Sequence, residues 1–102
     1  YLDGARPAGS RLARYTHYTR YSSPQAEAAT AAYVRIAAEH GLDPAQMALA
    51  FVVAQPFTTS CIIGATTTGQ LGSNLASTDL TLDKEVLAAI EAVHREHPNP
   101  AP

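Results

Sequence analysis

Tryptophan is absent, cysteine occurs once, at Cys61, and lysine once, at Lys84. A single cysteine excludes a disulfide framework within the chain and fits a reducing, cytoplasmic compartment. No apolar run approaches the roughly 18 residues of a membrane span, and no signal-peptide pattern is present. Excess charge is lacking too. A net charge of −2 and a pI near 6.0 give no general attraction to nucleic acid or to an anionic membrane. An initiator Met is also missing, and the opening Tyr1-Leu2-Asp3-Gly4 reads as the interior of a longer protein.

What is present suits a packed, largely helical domain. The 102 residues allow at most one domain, and 46% hydrophobic residues are enough for a core. Alanine dominates the middle of the chain, which favours helix over sheet.

Residues 1–22 have no sustained period. Gly4, Pro7 and Gly9 break the backbone, while Arg11, Arg14 and Arg20 alternate with Tyr15, Tyr18 and Tyr21. A long loop is expected, and loops beyond about 12–15 residues are usually functional or disordered. Ser23 as N-cap and Pro24 at the first position announce a helix. Its apolar face is Ala26, Ala29, Tyr33, Ile36, Ala37 and His40, and Gly41 ends it. A second helix runs from Pro44 to about Gln55, capped by Asp43, with Gln46 in the capping-box position and Leu42 stapled to Met47. Pro56 stops it.

Residues 58–65 form the one convincing strand, centred on Ser60-Cys61-Ile62-Ile63 and closed by Gly64. Cys61 is expected to be buried there. Thr67 and Gln70 start a third helix reaching about Ser77. Asp83 starts a fourth, with Leu82 and Leu87 as staple and Val86, Leu87, Ile90, Val93 and His94 on one face. The Asn99-Pro100-Ala101-Pro102 tail terminates the chain without a core of its own. A lone apolar strand leading into a helix is half of a βα unit of a parallel sheet. The other strands are therefore expected from polypeptide outside this sequence.

Three segments carry a family resemblance. They are Gly41 through Val52, Ile62 through Asn74, and Leu82 through Val93 with the proline-rich tail. Together they resemble the aldo-keto reductases, in their Tas-like and potassium-channel β-subunit-like branch, and the second segment is the specific one. The resemblance implies an α/β fold: the C-terminal portion of a (β/α)8 TIM barrel, mostly helical here, with 58–65 as the last barrel strand. Residues 1–22 would be the cofactor flap, 23–57 two helices, and 67–98 the last barrel helix and the C-terminal helix.

The resemblance further implies NADP as cofactor, hydride transfer between carbonyls and alcohols, and a small carbonyl substrate for the parent protein. Gly64 and Thr66 would contact the phosphate region, Gln70 the adenine ribose phosphate, and Asn74 the adenine edge. Arg11 of the flap would lie near the adenosine phosphate. The residue chemistry agrees: Gly64 allows close backbone approach, and Thr66, Thr67 and Thr68 set hydroxyls beside the N–H groups of a helix start. Ser73 stands where many relatives have Glu, and Gly9 where channel-type relatives have an aromatic. The family's cofactor Lys would precede Tyr1. Its catalytic Tyr, Lys, Asp and His have no counterpart here, so no catalytic residue is assigned and this chain alone is expected to be inactive.

Simpler readings stand beside these. Thr66-Thr67-Thr68 is also an ordinary N-cap cluster. The Arg/Tyr loop has the residue types of a nucleic-acid platform, but the rest of the chain is acidic and lacks a nucleic-acid motif. His17, His40, His94 and His97 have no carboxylate or Cys at metal-ligand spacing, so no metal is expected. The alternative function is a small helical module that binds protein or nucleic acid.

Overall fold

Four side chains start the four main helices, each by accepting the backbone N–H three residues ahead, which would otherwise lack an acceptor. Ser23 Oγ accepts from Ala26 at 3.1 Å, Asp43 Oδ1 from Gln46 at 2.9 Å, Thr67 Oγ1 from Gln70 at 3.1 Å and Asp83 Oδ1 from Val86 at 2.9 Å. In the computed structural model, which describes residues 2–15, 17 and 19–101, these caps open α2 (Pro24–Glu39), α3 (Pro44–Val53), α4 (Thr68–Ala76) and α5 (Lys84–Glu96). A four-residue α1 (Arg11–Arg14) precedes them, and 3-10 turns occupy Leu2–Gly4, Arg20–Ser22 and Ser77–Asp79. Tyr1, Thr16, Tyr18 of the Arg/Tyr loop and Pro102 of the tail lie outside the described residues.

Gly41 ends α2 with φ +66, a left-handed conformation that a Cβ would strain. The Gly41 N–H donates to Ala38 O at 3.2 Å and the Leu42 N–H to Ala37 O at 2.8 Å, the paired bonds of a Schellman ending. The helix α3 stops two residues before the expected Gln55. Pro56 disfavours helical backbone in the residue before it, and the Gln55 N–H instead closes a turn on Val52 O at 3.2 Å.

Three of these helices make the core. Ile36 and Ala37 of α2, Met47 and Ala50 of α3, and Val86 and Ile90 of α5 are buried together with Leu82. Tyr33, Leu42, Phe51, Leu80, Ala89 and Val93 pack around them. Ala37 is wholly enclosed within this cluster, at 0% exposure. The staple pair Leu42 and Met47 joins this cluster. On α5, Leu87 and His94 are exposed rather than on the core face. Leu82 packs with Val86 and Ile90 instead, which centres the buried stripe one residue earlier.

The expected strand over 58–65 is the main correction. Among the described residues no strand is present, and 60–65 run without regular structure. Ile62 is 98% exposed, and Cys61 is half-buried rather than enclosed. The reason is pairing. A strand needs neighbours for its N–H and C=O groups, and lone backbone keeps them hydrated by staying at the surface.

Two smaller corrections concern the ends. Residues 1–22 are not a featureless loop: Ser10 caps α1 by accepting from Ala13 N at 3.4 Å, and Leu12 is buried. The tail, expected to have no core of its own, is held by a hydrogen bond. Ser23 Oγ donates to Pro100 O at 3.0 Å, tying it to the start of α2.

Ser23 therefore both caps α2 and holds the tail. Ser23→Ala is expected to destabilise by about 1–2 kcal/mol, read from urea unfolding, with faster amide exchange around Asn99 and Ala101. A loss no larger than that of an exposed Ser→Ala change would contradict this.

Tyr33 gives a pH prediction. Its burial first, and the Glu91 carboxylate second, raise the phenol pKa above its usual value. The folded state thus favours the neutral phenol. That contribution is complete below the unfolded pKa of about 10 and is lost as pH climbs through the raised folded value. Tyr33→Phe should lose less stability than the parent between about pH 9 and 12, measured by chemical denaturation across that range.

Candidate cofactor site

The segment 64–74 is organised by its own amides. Gln70 projects its side chain back past the α4 N-cap, where Oε1 accepts from the Thr66 N–H at 2.8 Å and from Thr66 Oγ1 at 2.9 Å. A backbone N–H can only donate, so the oxygen of the amide must face Thr66. The NH2 is thereby directed to some other acceptor. One turn on, Asn74 Nδ2 donates to Gly64 O at 3.3 Å. Four residues expected to share a site are thus linked: Gly64 to Asn74 and Thr66 to Gln70.

The spacing explains the linkage. Thr66, Gln70 and Asn74 recur every four residues, which keeps positions 70 and 74 on one face of α4. Thr67 caps the helix, so the N–H of Gln70 is satisfied by Thr67 Oγ1. The N–H groups of Thr68 and Gly69 have no acceptor within the helix, as the geometry of a helix start requires. Neither a left-handed φ nor a crowding neighbour demands glycine at 64, since a Cβ there would meet nothing within 4 Å.

Thr66 departs from the expected role in one respect. Both of its donors are directed to Gln70 Oε1. What this turn offers a ligand is the Gln70 NH2 and the first-turn N–H groups, with Thr66 holding Gln70 in place. Residues 64–72 are exposed and the segment itself carries no formal charge: no Asp, Glu, Lys, Arg or His occurs from Pro44 to Thr78. An anion would meet dipoles here, together with the partial positive charge of the α4 N-terminus.

Arg11 is exposed at the first position of α1. The helix α4 packs on α3 and on the 3-10 turn after it, and hydrogen bonds join Gly64 to Asn74 and Thr66 to Gln70. Elsewhere in the N-terminal segment, Arg6 Nη2 donates to Ser22 Oγ at 3.2 Å and the Tyr15 ring meets the His17 ring edge-on at 6.0 Å. An apolar groove of about 290 Å³ is lined by Tyr33, Pro44, Met47, Ala48, Phe51, Val52 and Ile90, with nothing from α4. Among the described residues no group of three or more His, Cys, Asp or Glu side chains is placed to hold a metal. No helix there is long and apolar enough to cross a membrane.

One role was misread in the sequence. Gln46 has the capping-box spacing from Asp43, but its side chain does not return to the Asp43 N–H. Its Nε2 donates across to Ser73 O at 3.0 Å and Ser73 Oγ at 3.2 Å. The local spacing is satisfied by either arrangement, so only the fold reveals the partner.

Comparison with known proteins extends the geometry. A model described as the aldo/keto reductase family matches residues 5–95. Protein tas of Escherichia coli (strain K12) is 57% identical over 102 residues, covering 100% of this chain and 30% of that protein. Protein tas of Shigella flexneri matches with the same identity and coverage. The chain thus spans 30% of the length of these curated relatives. The resemblance carried by Gly41–Val52, Ile62–Asn74 and Leu82–Val93 is part of a match along nearly the whole sequence, and the chain belongs to the aldo/keto reductase family.

Proposed function

We propose that this chain is the part of an NADP-dependent aldo-keto reductase that grips the adenosine 2′-phosphate side of the cofactor. The observation that carries this reading is the Thr66–Gln70 pair at the start of α4. It fixes an amide NH2 beside the open N–H groups of a helix N-terminus. That donor set fits an anion, and phosphate at a helix start is a recurrent arrangement. Because no formal charge lies between Pro44 and Thr78, the cation opposite a doubly charged phosphate must come from elsewhere. Arg11 is the proposed source within this chain.

In this reading Gly64 lies with Thr66 at the phosphate region and Asn74 at the adenine edge. Gly64 leaves the backbone open to approach, and Asn74 keeps its Oδ1 available as acceptor while Nδ2 holds Gly64 O. NADP supplies the hydride chemistry when bound, while this chain binds and orients the cofactor's adenosine end. The whole protein would act on a small carbonyl or alcohol, with its acid–base residues outside this sequence. A cytoplasmic setting is consistent with the lone Cys61.

The same proposal assigns 58–65 as the last barrel strand. Ile62 and Phe57 are 98% and 83% exposed, and such side chains are covered when a neighbouring strand and helix are present. A helical interaction module is the second reading, favoured by the same exposed side chains. Titration of NADPH fluorescence with the complete protein separates the two, because only the first binds the cofactor.

In the complete protein, Thr66→Ala combined with Gln70→Ala is expected to weaken NADPH by about 1.5–3 kcal/mol more than NADH, since the 2′-phosphate alone distinguishes them. The readout is the ratio of the two dissociation constants, and an unchanged ratio moves the phosphate site elsewhere. For the strand, amides of Cys61, Ile62 and Ile63 should exchange rapidly in the 102-residue chain and slowly in the complete protein. Deep protection in the short chain would contradict the barrel assignment.

A further inference from the structure

We propose that Gln46 is the positioning residue of the cofactor site, holding α4 at the angle that presents Gln70 and Asn74. This rests on the cofactor reading above. The helix α4 buries none of its own side chains, so core packing does not fix its rotation. Its C-terminal end is anchored by the 3-10 turn that follows, where Ser77 is buried and its Oγ donates to Asn74 O at 2.6 Å. Ahead of that end, residues 68–72 bury no side chain. No ion pair can serve, since no charged side chain occurs from Pro44 to Thr78.

The link that remains is the Gln46 amide. Its NH2 donates to both the carbonyl and the hydroxyl of Ser73, at 3.0 and 3.2 Å, and both bonds are partly buried. The donor itself stands on a rigid base. The Gln46 N–H is tied to the Asp43 cap at 2.9 Å, and the next residue, Met47, is buried in the core. Ser73 lies one residue before Asn74 and three after Gln70. Fixing the Ser73 carbonyl therefore fixes the azimuth of both, and tilting α4 would part Asn74 Nδ2 from Gly64 O.

Two variants in the complete protein test this, Gln46→Glu and Gln46→Ala, with adenosine 2′,5′-bisphosphate as the probe. A carboxylate keeps the size but cannot donate to the Ser73 carbonyl. Calorimetric affinity should fall roughly five- to tenfold in both. Amide exchange over 67–76 should quicken while α2 and α5 stay protected as in the parent. Ser73→Ala keeps the carbonyl acceptor and should lose less than about threefold. Parent-like affinity in Gln46→Glu overturns the proposal, as does exchange that quickens equally in α2, α4 and α5, which would mark a merely structural role. An unsubstituted protein that does not bind the probe overturns the cofactor reading itself, and this inference with it. That failure is recognisable because it appears before any substitution is made.

Discussion

Everything in this structure hangs on the burial shared by α2, α3 and α5. Burying side chains of the size of Ile36, Met47, Val86 and Ile90 contributes roughly 1.5–3 kcal/mol each, and Ala37 is fully enclosed among them. The cluster includes Leu82 from the link before α5 but no residue of α4. That division sets the character of the molecule. The three-helix unit has a hydrophobic reason to hold together, whereas the segment bearing the candidate site is attached to it by hydrogen bonds, chiefly the Gln46 bridge to Ser73. Directional contacts hold an orientation without enclosing the surface they position, which suits the proposed ligand-binding face.

Much of the helical framework was legible in the sequence because its determinants are local. Ser23, Asp43, Thr67 and Asp83 each cap the backbone N–H three residues on, and Gly41 takes the left-handed φ that ends α2. These interactions span no more than a turn or two, so residue order alone fixes them. The grouping of Gly64, Thr66, Gln70 and Asn74 is of the same kind, since their bonds span four and ten residues. What was not legible involves partners far along the chain. Gln46 reaches Ser73, 27 residues away, and Ser23 reaches Pro100, 77 residues away. No local spacing encodes either.

The segment 58–65 shows the opposite failure, a local strand signal that the structure does not follow. Thr58, Thr59, Cys61, Ile62 and Ile63 suit a pleated, half-buried surface. That preference describes packing against neighbours rather than the backbone of an isolated segment. With no neighbouring strand among the described residues, Ile62 lies almost wholly in water. Such exposure forfeits the burial that made the residue suitable in the first place. In the proposed barrel, neighbouring strands would supply the cover that these side chains lack here.

Charge and shape then divide the labour at the candidate site. A stretch from Pro44 to Thr78 without formal charge can approach an apolar sheet on one side without stranding an ion in a low-dielectric setting, which would be costly. In the proposed cofactor reading, the same stretch also meets a polyanion on the other side. Helix-start N–H groups and a clamped amide do so with partial charges, each fixed by its own hydrogen bonds rather than by a counter-ion. Partial charges of this kind hold an anion only while their directions are kept, so recognition depends on the orientation of α4 more than on local charge density. In the proposed cofactor reading the full charge comes from outside this stretch, and Arg11, exposed on its own short helix, is the residue of this chain assigned to supply it.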